Sequence, residues 1–318
     1  MEQAILVTVD FGKREDWTAE ERSLELRELA HSAGTKVMRE EIVHRLKPDP
    51  GYFIGTGKAE ELAKICADKG IKVVIFNNDL TGTQQKNLED AIMTKTIDRT
   101  QLILDIFARR AHSNEGKVQV ELAQLLYLLP RLTGKGIYLS RLGGGIGTRG
   151  PGEQKLEVDR RKIRARITRL ENVLEDLSSR RAMMRKKRER FSILTIAIIG
   201  YTNVGKSTLL NALTDSNVIV EDKLFSTLDP TVRRFILPNK QKVLFVDTVG
   251  FLDRLPHHLV EAFKATLEEV VEADLLLHLV DISHPKAAAQ SDAVYRVLDS
   301  IGAKDKTILT VLNKIDRI

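Results

Sequence analysis

The sequence is almost without cysteine. Cys66 is the single one in 318 residues, so no disulfide can form within the chain, and a reducing compartment is the expected setting. Long apolar runs are missing as well. No stretch approaches the roughly 18 uncharged residues that a membrane span needs, and Asp10, Lys13, Arg14 and Glu15 interrupt the first apolar run before it could serve as a signal peptide. These absences point to a cytoplasmic protein with no stable membrane insertion. What remains is an ordinary mixture, 42% hydrophobic and 30% charged, long enough for two or three domains with cores of their own.

What is present is led by Gly200-Tyr201-Thr202-Asn203-Val204-Gly205-Lys206-Ser207, which follows the apolar run Ile193 to Ile199 and precedes a helical stretch, Ser207 to Leu213. A strand followed by GxxxxGK[ST] is the sequence form of a phosphate-cradling loop. The glycines permit a tight turn in which successive N–H groups face a β-phosphate, and the lysine brings a positive charge toward the β and γ oxygens. Ser207 is then expected to place its hydroxyl on Mg²⁺.

Downstream segments select the base. Lys242 to Val246 reads as a buried strand ending in Asp247-Thr248-Val249-Gly250, which fits DxxG: a carboxylate that holds Mg²⁺ through water and a glycine N–H that senses a γ-phosphate. A further strand, Leu275 to Val280, and a helical segment, Pro285 to Ile301, lead to the strand Thr307 to Leu312 and then to Asn313-Lys314-Ile315-Asp316, an NKxD match. An aspartate can accept two hydrogen bonds from the N1–H and exocyclic amine of guanine, a pair that adenine does not offer. Three motifs in order, each at the end of an apolar strand, read as a GTPase binding GTP or GDP with Mg²⁺.

Between the first helix and the strand Val232 to Leu237 lies Phe225-Ser226-Thr227-Leu228-Asp229-Pro230-Thr231, where a loop could close over the γ-phosphate and ligate Mg²⁺ in the triphosphate state. Thr227 is the chosen switch threonine and Thr231 the alternative. No catalytic base can be assigned; Lys206 and Thr227 are expected to support the transition state and the metal. Phe251 follows Gly250, where many small GTPases carry a glutamine that orients the attacking water. Hydrolysis by the isolated protein is therefore expected to be slow, with the water placed by another group or by a partner. Arg233, Arg234 and Arg254 read as solvated surface charge.

Charge is concentrated in one element. Residues 155–190 hold 14 Lys and Arg against 6 acids, while the rest of the chain has 36 basic against 38 acidic residues. A phosphate-rich partner is implied, although a long solvated helix face is the plainer alternative. Leu156, Ile163, Ile167, Leu170, Leu174 and Leu177 give the same element the seam of a long amphipathic helix. Val118 to Leu129, with Pro130 just beyond, is its expected antiparallel mate in a helical hairpin. Between the two helices, residues 143–152 contain six glycines in ten. No apolar strand precedes this stretch and no GK[ST] closes it, so it reads as a flexible hairpin tip, flanked by Arg141 and Arg149. So sparse a backbone suits a narrow polyanionic crevice of the kind that ribosomal RNA offers. The candidate RNA contacts are Arg141, Gly143, Gly144, Gly145, Gly147, Arg149, Arg160, Arg161, Lys162 and Arg164.

The first hundred residues alternate in type. Strands are expected at Ala4 to Val9, Lys36 to Val43 and Lys72 to Asn77, and helices at Thr18 to Ala30, opened by a Thr18–Glu21 capping box, at Lys58 to Asp68 and at Gln84 to Ile92. The fold class is therefore α/β and multidomain: a small N-terminal α/β domain over 1–110, a helical hairpin over 111–190 and a doubly wound P-loop GTPase domain over 191–318. Gly55-Thr56-Gly57-Lys58 looks like part of a phosphate loop, but its spacing fits a helix N-terminus after a tight turn.

Taken together, Gly51 to Lys58, the segment Ile97 to Phe107, the loop Gly143 to Gly152 with Glu153 to Glu157, and Phe225 to Thr231 resemble the HflX family of translation-associated GTPases across essentially the whole chain. The resemblance implies a protein that binds the large (50S) ribosomal subunit and its RNA in the GTP state and separates stalled or idle 70S particles; a monomer is expected. It directs the glycine-rich loop toward the peptidyl-transferase region. It also maps guanine-nucleotide contacts onto Gly200 to Ser207 and the adjoining Thr208, Phe225 to Asp229, Asp247 to Gly250 and Asn313 to Asp316, and Mg²⁺ onto Ser207 and Thr227. A GTPase of this type continues past its NKxD motif through another helix, strand and closing helix, so a truncated chain with an uncovered sheet edge is expected. The rival readings are a GTPase acting on free RNA and a switch acting on a protein partner.

Overall fold

The structure is a computed structural model. It describes residues 2–12, 16–132, 151–190, 193–214, 223–254, 256 and 264–318, with side chains described from 157 to 183 in the long helix and from 267 in the helix that opens the last segment. The chain forms two compact units, residues 1–106 with 124–169 and residues 107–123 with 170–318. The residues read as a hairpin from the sequence are thus divided between them.

In the first unit a four-stranded parallel sheet has the order β2-β1-β3-β4, formed by β1 (Gln3–Asp10), β2 (Lys36–His44), β3 (Val73–Phe76) and β4 (Lys95–Asp98). The connecting helices are α1 (Ala19–Ser32), α2 (Thr56–Lys69) and α3 (Gly82–Ile92). β1 and β3 are buried along almost their whole length, as apolar residues on both sides of a strand inside a covered parallel sheet require, with Thr8 the one polar residue in the buried stretch of β1. Two helices start on reciprocal caps. Thr18 Oγ1 accepts from Glu21 N at 3.2 Å while Glu21 accepts from Thr18 N at 2.8 Å, and Thr81 with Gln84 repeats the pattern at 3.2 and 3.0 Å. Lys58, in the first turn of α2, is paired with Glu41 at 3.0 Å and Glu61 at 2.8 Å, so its ammonium is already occupied.

α4 (Arg99–Arg110), α5 (Asn114–Arg131) and α6 (Pro151–Arg190) follow. α5 runs through Pro130, where the sequence places its end. Proline in a last turn removes a single N–H donor, and the residue beyond is held from outside the helix: Arg131 donates to Leu80 O at 2.7 Å and to Asp98 at 3.1 Å. In α6, Ile167 and Leu170 are buried and Ile163, Leu174 and Leu177 half-buried, the seam that the periodicity predicts.

The second unit holds a five-stranded sheet of order β6-β7-β5-β8-β9, built from β5 (Leu194–Gly200), β6 (Thr231–Ile236), β7 (Lys242–Asp247), β8 (Leu275–Asp281) and β9 (Ile308–Asn313). β6 is antiparallel to β7 and the other pairings are parallel. α7 (Lys206–Thr214), α8 (Lys264–Glu272) and α9 (Ala287–Ser300) belong to the same unit. Leu210 of α7 packs with Ile198, Val243, Phe245 and Leu277 of the sheet in one apolar cluster. Because the central strands run parallel, their carboxyl ends gather at one edge of the sheet, where a doubly wound fold binds its ligand. Among the described residues no helix is long and apolar enough to cross a membrane.

Candidate functional site

The site is assembled from the turns that follow β5, β7 and β9. After β5, residues 201–205 bend into α7, whose unpaired N-terminal N–H groups supply a partial positive charge. Gly205 adopts φ +98, and a Cβ there would stand 2.6 Å from Asn313 Nδ2. Glycine therefore answers two demands, a left-handed backbone and the close approach of the NKxD turn. That turn holds the cradle directly: Asn313 Nδ2 donates to Val204 O at 2.7 Å, and Lys314 Nζ donates to Asn203 O at 2.9 Å. Lys314 is fixed in turn by Asp281 at 2.7 Å. Asp316 is exposed.

The turn after β7 is stitched to the same loop. Thr202 N donates to Phe251 O at 2.8 Å and Phe251 N to Gly200 O at 3.1 Å. The Phe251 ring is fully buried, so this residue anchors the turn and presents no group to water. Lys206 is almost fully buried, with Nζ held by Tyr201 O at 2.8 Å and Gly200 O at 3.3 Å. Burial pulls its pKa down to about 8, opposed by the nearby Asp247 carboxylate. An ammonium so poorly solvated is held ready for an anion.

Beside it stand three oxygen donors. Ser207 Oγ lies 2.6 Å from Asp247 Oδ2 and 2.9 Å from Thr227 Oγ1, and Thr227 Oγ1 lies 3.1 Å from Asp247 Oδ2. Asp247 is fully buried, and burial raises its pKa against the opposing effects of Lys206 and the two hydroxyls. Its Oδ1 has no hydrogen-bond partner. Two hydroxyls and a carboxylate with a spare oxygen are the hard donors that Mg²⁺ prefers, so these residues fit that ion. Thr227 stands in the cluster, whereas Thr231 opens β6 opposite Asp247 in the register.

A cleft at this place is lined by Asn203, Gly205, Lys206, Ser207, Thr227 and Gly250, with Thr208, Phe225 and Ser226 completing its wall. Other residues named from the sequence contribute differently. Val204, Leu228 and Val249 are buried, and Thr248 donates to Ile198 O at 2.7 Å, so their side chains brace the turns. Ile315 is largely exposed. The carboxylate of Asp229, expected among the nucleotide contacts, is engaged within the protein. It accepts from His112 N at 2.9 Å, Ser113 N at 2.8 Å and Ser113 Oγ at 2.5 Å, because the start of α5 in the same unit offers it unpaired backbone donors. Phe225, at φ +56, packs edge-on against Phe107, with ring centroids 4.7 Å apart.

Of the candidate RNA contacts, Arg161, Lys162 and Arg164 are exposed on α6 and Arg160 is half-buried. Arg141, Gly143, Gly144, Gly145, Gly147 and Arg149 lie outside the described residues. Sequence reasoning passed over Asp281, whose signal was present: like Asp247, it is a carboxylate at the end of a buried parallel strand. It also passed over Arg181 of α6, which bridges Glu115 of α5 and Glu268 of α8, the latter at 2.7 Å.

A phosphate cradle tied to a hydroxyl–carboxylate cluster and to an NKxD turn, on a doubly wound sheet, defines the class of P-loop GTP-binding proteins. Sequence comparison narrows the class. Residues 20–108 match the family described as GTP-binding GTPase N-terminal, 110–188 the GTP-binding GTPase middle region, and 195–314 the 50S ribosome-binding GTPase family. The GTPase HflX of Caldanaerobacter subterraneus subsp. tengcongensis is 54% identical over 99% of this chain and 73% of its own. The chain belongs to the HflX GTPase family. Among solved structures, the SsGBP–GDP complex aligns with a TM-score of 0.57 at 27% identity, covering 100% of this chain and 84% of that one. A GTP-binding protein of Sulfolobus solfataricus in complex with GDP gives a TM-score of 0.51 at 26% identity, with the same two coverages. The protein is thus a GTPase whose nucleotides are GTP and GDP.

Proposed function

We propose that this GTPase acts as a nucleotide-controlled ribosome factor, binding the large subunit in its GTP state and separating stalled or idle 70S particles. The observation that carries the reading is the exposed basic run Arg161, Lys162 and Arg164 on a long helix of a GTPase whose residues outside 155–190 are close to charge-neutral. The description of the family matched by residues 195–314 supports it.

In this reading Gly200–Ser207 and Thr208 cradle the phosphates, with Lys206 at the β and γ oxygens. Ser207 and Thr227 would hold Mg²⁺, with Asp247 acting through water, and the ion would supply positive charge to the phosphoryl groups. Asp316 accepts from guanine while Asn313 and Lys314 keep the cradle in register. Gly250 N–H and Thr227 are the groups that respond to the γ-phosphate, and their ordering favours the ribosome-binding state. Loss of that phosphate releases it. With Phe251 buried, the attacking water must be ordered by another group, and turnover rises when the ribosome supplies or places it.

Co-sedimentation with purified large subunits tests the reading at physiological salt. Binding is expected with a non-hydrolysable GTP analogue and not with GDP, and Lys206→Ala is expected to abolish it. Equal binding with the analogue, with GDP and without nucleotide, or none by a nucleotide-loaded sample, would remove the ribosome from the proposal. In the second case, salt-sensitive binding to free structured RNA would identify the alternative target.

A further inference from the structure

The bonds of Thr227 Oγ1 to Ser207 and Asp247 fix its hydroxyl but not the backbone that carries it. That backbone is fastened two residues earlier and two residues later, both times to the turn between α4 and α5, in the same unit. Phe225 and Phe107, both buried, meet edge-on with ring centroids 4.7 Å apart. Asp229 takes His112 N and Ser113 N on Oδ2 and Ser113 Oγ on Oδ1. α5 does not need this carboxylate as its cap, because Ser113 Oγ already accepts from Gly116 N at 2.8 Å, the bond that an N-cap residue makes. The helix instead makes room for it. Gly116 lies in the first turn of α5, where alanine is the better helix former, and a Cβ there would run into Asp229 Oδ1 and stand 3.1 Å from Ser113 Oγ. The turn is itself anchored, since Glu115 pairs with Arg181 of α6, which also holds Glu268 of α8 at 2.7 Å.

We propose that Asp229 is a positioning residue for GTP hydrolysis: latched to the first turn of α5, and helped by Phe225 on Phe107, it holds Thr227 in the hydroxyl–carboxylate cluster with Ser207 and Asp247. The proposal rests on the nucleotide site as read above and names what orders its switch threonine. A short segment pinned at both ends leaves its middle residue few conformations, so part of the entropy cost of ordering the loop is met by the protein before a γ-phosphate arrives. Asp229 spends its carboxylate on protein donors and is not among the residues that line the cleft, whereas Thr227 is. Its influence therefore passes through Thr227. The triphosphate complex and its hydrolysis depend on the latch, and GDP binding does not.

Gly116→Ala tests the latch from its far side. The added methyl group favours the helix and displaces the Asp229 carboxylate, so stability and the latch respond in different directions. We expect the urea midpoint to stay at or above that of the parent and GDP affinity to stay within about twofold, while amide exchange across residues 226–228 speeds about tenfold. Single-turnover hydrolysis should slow about tenfold, with a higher Mg²⁺ requirement. Asp229→Ala should reproduce the loss of rate, and the double variant should lose no more than either single one, because both changes remove the same contact. The proposal is overturned if Gly116→Ala matches the parent in exchange and rate, or if the two losses multiply. It is equally overturned if the rate falls only in step with the urea midpoint, which marks a packing role, or if GDP affinity collapses in Asp229→Ala, which marks a direct nucleotide contact. A failure of the site reading itself is separable, because Thr227→Ala would then match the parent in rate and Mg²⁺ requirement.

Discussion

Two buried carboxylates, one in each unit, end strands that pair in parallel and differ in the donors that surround them. Asp98 closes β4 and Asp247 closes β7, and both are fully buried. Each is pushed to a higher pKa by burial. Asp98 is saturated by fixed donors. Oδ1 accepts from Gln101 N and the Tyr127 hydroxyl, both at 2.9 Å, and Oδ2 accepts from Leu80 N at 3.2 Å and Arg131 Nη2 at 3.1 Å. The Arg131 guanidinium also lies 3.5 Å over the Tyr127 ring, so its charge is met from two sides. Asp247 has two hydroxyls on Oδ2 and, apart from the adjacent Thr248 backbone N–H near the carboxylate, no protein donor that closes a hydrogen bond on Oδ1. A carboxylate that completes its shell with protein donors ties elements together, and one that leaves a lone pair open is kept for a ligand.

The sharpest way to break this comparison is to neutralise each carboxylate in turn. Asp98→Asn strands the Arg131 charge in the first unit and should lower stability by about 3 kcal/mol, because removing one partner of a buried pair leaves the other uncompensated. Urea unfolding would measure it, and nucleotide affinity should stay unchanged. Asp247→Asn should do the opposite, leaving the unfolding midpoint within experimental spread while Mg²⁺-dependent GTP hydrolysis falls about a hundredfold. If the two variants behaved alike, the contrast between a closed and an open carboxylate shell would be meaningless.

A third buried ionisable group, His278 of β8, sharpens the argument because no carboxylate among the described residues partners it. Its Nδ1 has no hydrogen-bond partner, its ring meets Tyr295 edge-on at 5.4 Å, and burial takes its pKa down to about 4. The unfolded chain, with histidine near 6.5, then binds more protons than the folded one between these two values. Stability is therefore lost as pH falls from about 6.5 to about 4 and is flat, for this residue, above and below that window. We expect the parent to lose about 2 kcal/mol more than His278→Gln across it, read from urea midpoints at several pH values. Parallel pH profiles for the two proteins would show that the imidazole charges without penalty.

The smallest expected loss of stability is at Asp229, a carboxylate whose three donors come from the start of α5. Asp229→Ala should cost about 1 kcal/mol, the usual worth of a helix cap, and should speed amide exchange at His112 and Ser113. GDP affinity should move by less than about threefold. A collapse of GDP affinity would return Asp229 to the nucleotide contacts.

Much of this was legible in the sequence. The five strands of the second sheet, three of the four in the first, the Thr18–Glu21 capping box, the seam of α6 and the three nucleotide motifs follow from spacing along the chain, whereas β4, only four residues long, is not among the expected strands. Such features depend on residues within one or two turns of each other, and a local pattern records local physics. Even the identity of the ligand was readable, since GxxxxGK[ST] and NKxD carry their chemistry in adjacent residues. Helix ends were less legible. Pro130 marks a stop by its own chemistry, and the helix passes it because Arg131 is held by Leu80 and Asp98, residues far away in the chain.

What the tertiary structure alone decided was partnership. Nothing in their immediate neighbours tells that Asp98 is a closed structural carboxylate and Asp247 an open one, that Thr227 and not Thr231 stands beside Ser207, or that the Asp229 carboxylate turns to Ser113. The physical reason is the same in each case. Residue type and spacing determine which groups a segment can offer, whereas burial and the donors brought in by distant segments determine which of those groups are satisfied within the fold and which are left for a ligand.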